Sequence, residues 1–484
     1  MKPSFAVLAL LAATLPLRAA ERYNVLHIVS DDLGARLHCY DDPVAQSPNL
    51  DRLATRGVKF TRAYCQYPLC NPSRASFMTG LRPDTLRVYE NATDFRRNIP
   101  DAVSMPQSFR KAGYSVARIG KLYHYGVPTQ IGTDGMDDPL SWEKVTNPKG
   151  RDVDDIGLVE VLKMGEDKKA TTVKGQRLTN TGGTLSWLAA EGTDAEQTDG
   201  KIAAAAIGEL EAHAKDAKDA KPFYLAVGFF RPHTPYIAPQ PYFAKYPLEK
   251  MRVPTVPENL AAMFPAGALA NQKPVEVAMS DDLRRHAIQA YHASTTFMDA
   301  QVGQILDALE RLKLADRTIV VFHSDHGYHL GEKNLWQKLS IFEPSIRVPL
   351  IISVPGKSSA GRACGRTVEL VDLHRTLTDL CGLAADGKTE GDSLRPLIEN
   401  PEAAWTHPAY SQVQRAAGKK GEGQFMGRSV RTERWRYTEW DEARGGAELY
   451  DHDSDDAEMK NLAADPAHAA TVAEMKALLA PQKP

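Results

Sequence analysis

The sequence predicts an α/β fold, a mixed and mostly parallel sheet sandwiched by helices, followed by a smaller C-terminal α+β subdomain with an antiparallel sheet. Three observations predict it. Short β-rich apolar runs recur along the chain, and several end abruptly in charged or polar residues. Stretches with apolar residues at helical spacing lie between them, the alternation expected of a parallel sheet covered on both faces. Beyond residue 400 the pattern changes to short strand-like pieces separated by turns.

The elements follow in chain order. The N-terminus, MKPSFAVLALLAATLPLRAAERYN, has Lys2, an apolar run from Phe5 to Leu15 and small residues at Ala19 and Ala20. That is the pattern of a secretory signal peptide over residues 1–20, cleaved near Ala19 or Ala20. The apolar core is shorter than the roughly 20 residues that a membrane span requires. An exported protein without a membrane span is expected. Residues 23–30 (YNVLHIVS) stop at Asp31-Asp32, as a buried strand does when it ends in carboxylates. Residues 223–230 (FYLAVGFF) stop at Arg231-Pro232-His233, and residues 318–324 (TIVVFHS) at Asp325-His326-Gly327. Residues 348–354 (VPLIISV) read as a fourth such strand. Helices are expected over 200–213 and over 287–314, where Ile288, Tyr291, Met298, Val302, Ile305 and Leu309 share one side. Residues 126–197 are rich in Gly, Asp, Lys and Thr and predict irregular surface loops. A boundary in ENPEAAWTH separates a large domain, 21–400, from a C-terminal subdomain, 405–484. Short strands are expected there at 409–413, 429–432, 434–439 and 448–451, with a closing helix at 467–479.

A formal net charge of −2 gives no whole-protein attraction for nucleic acid, so any affinity for an anion is local. The five cysteines, Cys39, Cys65, Cys70, Cys364 and Cys381, are odd in number and leave at least one unpaired. Cys70 has the unusual surroundings YCQYPLCNPSRASFMTGLRP.

In α/β sheets ligands bind beyond the carboxyl ends of the strands, and the chemistry-bearing residues fall there. Asp31, Asp32 and Asp325 repel one another if they meet, unless a cation holds them, and a hard divalent metal is the simplest reading. The plainer alternative is that each Asp caps a turn or helix. Lys121 and His124 lie in IGKLYHYG, His233 in FRPHTPY and Lys338 in GEKNLWQKLS. With Arg74 they make a cationic set suited to an oxyanion and to proton transfers.

CNPSRASFMTGLRP resembles the sulfatase-family signature C-x-P-S-R followed by T-G-x-x-P. The resemblance covers nearly the whole chain in order, through DDLG, SPNLDRLATRGVKFTRAY, GKLYH, RPHTPY, SDHGYHLGEKNLWQK and RVPLIISVPG. RPDTLRVYEN, FMDAQVGQILDALE, SDHG and MGRSVRTERWRYTEW resemble its iduronate-2-sulfatase branch. The resemblance implies an alkaline-phosphatase-like fold and oxidation of Cys70 to Cα-formylglycine by a formylglycine-generating maturation enzyme that reads Pro72 and Arg74. It implies one calcium ion held by Asp31, Asp32, the residue-70 oxygen, Asp325 and His326. His326 stands where many sulfatases have Asn, and imidazole is an unusual calcium ligand. The implied substrates are sulfated glycans bearing 2-O-sulfate on uronic acid residues. One hydroxyl of the hydrated aldehyde attacks sulfur while Arg74 steadies residue 70 and Lys121 absorbs charge. Lys338 holds the sulfate, His233 protonates the leaving alcohol, and His124 takes the proton of the second hydroxyl. Arg231 and the YENATDFRRN loop are expected to face the sugar carboxylate, with a simple surface role as the alternative. Two other readings use the same sequence: a phosphate or phosphonate ester hydrolase of this fold, and a non-catalytic sulfated-glycan-binding relative. Oligomeric state has no signal in the sequence.

Overall fold

The computed structural model describes residues 22–174, 183–215, 221–384, 387–417 and 423–480. The expected signal peptide lies outside the described residues. Among them, no helix is long and apolar enough to cross a membrane.

Eight strands form the central sheet: β1 (Asn24–Asp31), β2 (Val58–Tyr64), β3 (Ser115–Gly120), β4 (Lys144–Thr146), β5 (Phe223–Pro232), β6 (Thr318–Ser324), β7 (Arg347–Ser353) and β8 (Ala363–Glu369). Their order is β8-β2-β7-β6-β1-β5-β3-β4. β1 is central because every residue in it is apolar or paired, and all eight are buried. It runs parallel to β6 and β5, so Ser30 lies opposite Ser324 and Asp31 opposite Pro232. Three of the polar strand ends read from the sequence therefore meet at one edge.

β7 corrects one expectation. It runs antiparallel to both β6 and β2, so it starts where its neighbour β6 ends. An apolar run carries no mark of its direction, and the connection through residues 325–346 brings the chain back to the edge where β6 ends.

The alternation of side chains along β1 splits the core in two. Val25 and Val29 face a layer with Phe77 and Met78 of α1 (Cys70–Thr79). Leu26 and Ile28 face α2 (Thr198–Lys215) through Ile202 and Leu210, and α3 (Asp281–Arg311) through Met298, Val302 and Ile305. Each such aliphatic side chain, fully buried, contributes about 1.5–3 kcal/mol.

Residues 126–197 are more ordered than expected. Besides β4, the strands Glu160–Met164, Ala170–Val173 and Ser186–Ala190 join Tyr236–Pro239 in a separate four-stranded sheet. They are short, and in Ala170–Val173 two of the four residues are partly exposed threonines, which weakens the apolar signal by which strands are recognised.

The C-terminal part is an antiparallel meander of β9 (Ala409–Ala416), β10 (Gln424–Arg431), β11 (Trp435–Trp440) and β12 (Ala447–Asp451). A closing helix, Ala469–Leu479, packs Met475 and Leu479 on Val430, Tyr437 and Leu449. A buried ionic join ties this sheet to the central one. Arg436 bridges Glu343 and Glu458, and Tyr64 donates to Glu343 Oε1 at 2.9 Å. Arg436 is 1% exposed, so removing it takes from Glu343 and Glu458 the cation that they share. Arg436→Met is expected to cost about 3–5 kcal/mol, as broken buried pairs do. Arg434→Ala, which breaks a half-exposed pair with Asp451, is expected to cost below about 1 kcal/mol. Urea midpoints measure both, and equal small losses would remove the structural weight assigned to the join.

Candidate active site

The site is assembled where β1, β3, β5 and β6 end. Asp31 closes β1, and Asp32 follows in a left-handed conformation (φ 63°), which turns the chain and sets two successive carboxylates at the edge. Asp tolerates that conformation better than a branched residue does. Two glycines let the β3 and β5 ends close together. A Cβ at Gly228 would lie 1.9 Å from the Lys121 carbonyl oxygen, and one at Gly120, whose φ is +72°, would lie 2.2 Å from the Gly228 carbonyl oxygen.

α1 starts at Cys70 and is buried along its whole length. Gly80, at φ 70°, ends it by donating to the Ser76 carbonyl at 2.8 Å, a left-handed cap. Residue 70 thus sits at the positive end of a ten-residue helix dipole, which favours negative charge there.

Arg74, one turn along α1, is fully buried and shares its donors among four acceptors. Its Nε donates to Asp325 Oδ2 at 3.0 Å and its Nη2 to Asp31 Oδ1 at 2.9 Å. Its Nη1 donates to the carbonyls of Lys121 and Leu122 at 2.8 and 2.9 Å. Lys121 Nζ lies 2.6 Å from Asp31 Oδ2, and Lys338 Nζ lies 2.5 Å from Asp32 Oδ1 and 3.1 Å from Cys70 Sγ. Burial opposes ionisation of Asp31, but Lys121 leads the groups that hold its carboxyl well below the usual range. Burial pushes the Asp325 carboxyl up. For the Cys70 thiol, burial is outweighed by Lys338, Lys121 and hydrogen bonds to His124 and His233, which hold it well below its ordinary value.

The donors fit a divalent cation. Asp32, Cys70, Asp325 and His326 each point one ligand atom into a common space, and Asp31 and His233 form a second such group with Asp32. Asp32 Oδ2 is buried without a hydrogen-bond partner. His326 Nδ1 donates to the Gly327 carbonyl at 2.9 Å, so Nε2 faces inward and would offer its lone pair to a bound cation in place of a proton. Nε2 is 3.2 Å from Asp32 Oδ1, 3.6 Å from Asp325 Oδ2 and 3.5 Å from Cys70 Sγ. Burial lowers the His326 pKa, but Asp325 and Asp32 overcome it and lift it to about 9.

His233 Nδ1 donates to the Thr234 carbonyl at 2.6 Å, which leaves Nε2 towards Asp32 Oδ2 at 3.8 Å. His124 is half-buried, its Nδ1 lacks a partner, and burial lowers its pKa. His124, His233 and Lys338 all line one cavity of about 400 Å³. The site residues singled out in the sequence are thus brought together, with one exception.

Arg231 is the exception. Its guanidinium is 3% exposed and is spent on Asp152 and on the Pro235 carbonyl, at 3.1 Å from the latter. It is not among the residues that line the cavity, so the expectation that it faces a sugar carboxylate is corrected: it braces the end of β5. Asp199, at the start of α2, shares that work by accepting from the Phe230 and Arg231 amides at 2.9 and 3.0 Å. Sequence reasoning missed Asn91, Asn271, Lys273 and Gln337, which line the cavity mouth. Asn91 and Gln337 lie within the quoted stretches RPDTLRVYEN and GEKNLWQKLS without having been singled out, and Asn271 and Lys273 lie in no such stretch. All five cysteines are free.

The chain matches the family model for sulfatases over residues 23–383 and that for the N-sulphoglucosamine sulphohydrolase C-terminal region over residues 331–483. Iduronate 2-sulfatase of Mus musculus is 32% identical, with 87% of this chain and 85% of that protein covered. A sulfatase of Formosa agariphila is 34% identical, with 96% and 87% covered. The phosphonate monoester hydrolase of Agrobacterium radiobacter has a similar fold, with a TM-score of 0.75 at 24% identity, covering 95% of this chain and 96% of that one. With the signature cysteine set among these carboxylates, lysines and histidines, and with a family model matched over most of its length, the chain belongs to the sulfatase family and is a sulfuric ester hydrolase.

Proposed function

We propose that this enzyme removes 2-O-sulfate from uronic acid residues of sulfated glycans, with residue 70 as formylglycine and one calcium ion bound. It acts after export, and a formylglycine-generating enzyme matures it. The observation that carries the reading is Cys70 Sγ lying within 3.1 Å of Lys338 Nζ and 3.5 Å of His326 Nε2 at the head of α1. The likeness to iduronate 2-sulfatase supports the substrate class.

Asp31, Asp32, Asp325 and His326 would hold the calcium, which supplies Lewis-acid charge, while the hydrated aldehyde of residue 70 supplies the attacking and the releasing hydroxyl. Arg74 keeps residue 70 in register with Asp31 and Asp325. Lys338 and Lys121 carry positive charge against the sulfate oxygens. His233, its Nδ1 proton committed to Thr234, delivers the proton on Nε2 to the leaving sugar oxygen. His124, kept neutral by burial, accepts a proton from residue 70 as sulfate departs.

The test is a panel of defined sulfated disaccharides, with aryl phosphate and phosphonate monoesters as controls. Release of 2-O-sulfate from the uronic acid members alone is expected, and faster turnover of the phosphonates would overturn the reading. Tryptic mass spectrometry of enzyme co-produced with the maturation enzyme is expected to show residue 70 without its thiol. Full activity with an unmodified Cys70 would sink the formylglycine assignment.

Elemental analysis is expected to find one calcium per chain in the wild type and none in Asp32→Ala, whose orphaned Oδ2 is lost. An active wild type without bound metal would refute the ligand set.

His233→Ala is expected to slow unactivated sugar sulfates by about 10²–10⁴-fold, the usual worth of general acid catalysis. An aryl sulfate, whose leaving group needs little proton assistance, is expected to lose far less. Equal losses on both would take the proton from His233.

A further inference from the structure

Lys338 is carried by a strained segment. Lys333, Asn334, Gln337 and Leu339 all have positive φ, between 53° and 67°, and none is glycine. Such residues cost energy and persist only where their surroundings over-determine them. Lys338 itself lies between two of them.

The surroundings are specific. Leu339 N–H donates to the Pro68 carbonyl at 3.1 Å, two residues before Cys70. Asn271 Nδ2 donates to the Lys338 carbonyl at 2.7 Å. Arg415, on β9 of the C-terminal sheet, donates from Nη2 to the Leu339 carbonyl at 2.5 Å and from Nε to the Gly267 carbonyl at 3.0 Å. β9 also holds the approach to residue 70. Ser411 Oγ donates to the Cys65 carbonyl at 2.6 Å, Gln412 N–H to the Gln66 carbonyl at 2.9 Å, and Gln414 N–H to Tyr67 Oη at 2.9 Å. One strand therefore grips the backbone before Cys70 and the backbone after Lys338.

Arg415 is an expensive way to do this. It is 8% exposed, it rests on the Trp440 ring at 5.5 Å, and among the described residues no carboxylate pairs with it. A buried guanidinium left without a counter-charge is disfavoured unless its hydrogen bonds matter. Lysine offers no planar fork to reach both carbonyls at once.

We propose that Arg415 is a positioning residue of the C-terminal sheet, which fixes the Lys338 segment against the start of α1 and so sets the distance from Lys338 Nζ to residue 70. The inference rests on the role given to Lys338 above, and not on which glycan is cleaved.

The experiment is a double-mutant cycle on the matured holoenzyme with 4-nitrophenyl sulfate. Arg415→Met, which keeps the stem over Trp440, is expected to lower kcat about tenfold, the scale of a coupled pair. In a Lys338→Ala background the same substitution is expected to cost less than twofold. Arg415→Lys is expected to recover only part of the loss. Asn271→Ala, which frees the Lys338 carbonyl, provides an independent second cycle with the same expected pattern should Arg415→Met not fold. Equal costs in both backgrounds would mean general destabilisation and overturn the proposal. A Lys338→Ala enzyme with unchanged turnover would instead remove the role of Lys338 on which it rests.

Discussion

Asp31 and Asp325 end strands that lie side by side, and one buried guanidinium joins them. Arg74 reaches both carboxylates and two carbonyls of the β3 turn while staying fully buried. Two carboxylates this close in a dry interior repel strongly. The shared cation turns that repulsion into a rigid frame, because Arg presents its donors in a fixed plane. Since Arg74 lies one turn from Cys70 on the same helix, the frame also sets where residue 70 stands relative to the strand ends. The parallel register of β1 with β5 and β6, the two close-approach glycines and the all-buried helix α1 each serve that single join.

Lys338 is attached to this frame differently. It comes from no strand end but from a loop whose backbone is held in left-handed conformations by partners 67 and 76 residues away from its anchor points. Rigid strands place Asp31, Asp32, Asp325 and His326, whereas the Lys338 segment is held by hydrogen bonds from Asn271 and from Arg415 of the C-terminal sheet. The C-terminal sheet is therefore more than a cover for the central one. Its ionic join through Arg436 and its grip through β9 act on one segment, at Glu343 and at Leu339, between Lys338 and β7.

The strand ends were legible because each combines a buried run with an abrupt polar stop, and burial of a charged pair needs a reason. Arg74, Lys121 and Lys338 were legible through the motifs around them. What stayed hidden shares one physical cause, since long-range partners of single residues leave no local pattern. The pairing of Arg231 with Asp152 spans 79 residues and reverses the role that its position after β5 suggested. Arg415 sits in a polar strand where an arginine reads as surface. The direction of β7 was hidden because an apolar run is the same read either way. The strands between 144 and 190 were missed because they are short and partly exposed and lie among polar, glycine-rich connections.

Charge accounts for what remains. Asp31, Asp32 and Asp325 carry three negative charges, matched one for one by Arg74, Lys121 and Lys338, so with a neutral His326, the form that binds a cation, this buried set is formally neutral. A neutral, dry site does not attract an anionic ester, because the ester gives up its water on entry. The proposed divalent cation changes the sum to plus two. A sulfate monoester brings one negative charge and leaves the site still electropositive. That surplus matches the charge which builds on the leaving oxygen and the sulfate oxygens as the ester bond breaks, and it acts where water is excluded and fixed charges count most. A bound cation would thus suit the balance of the site as well as its chemistry. It would also give a partner to the buried Asp32 oxygen that has no hydrogen bond, since a carboxylate oxygen that serves a metal needs no donor.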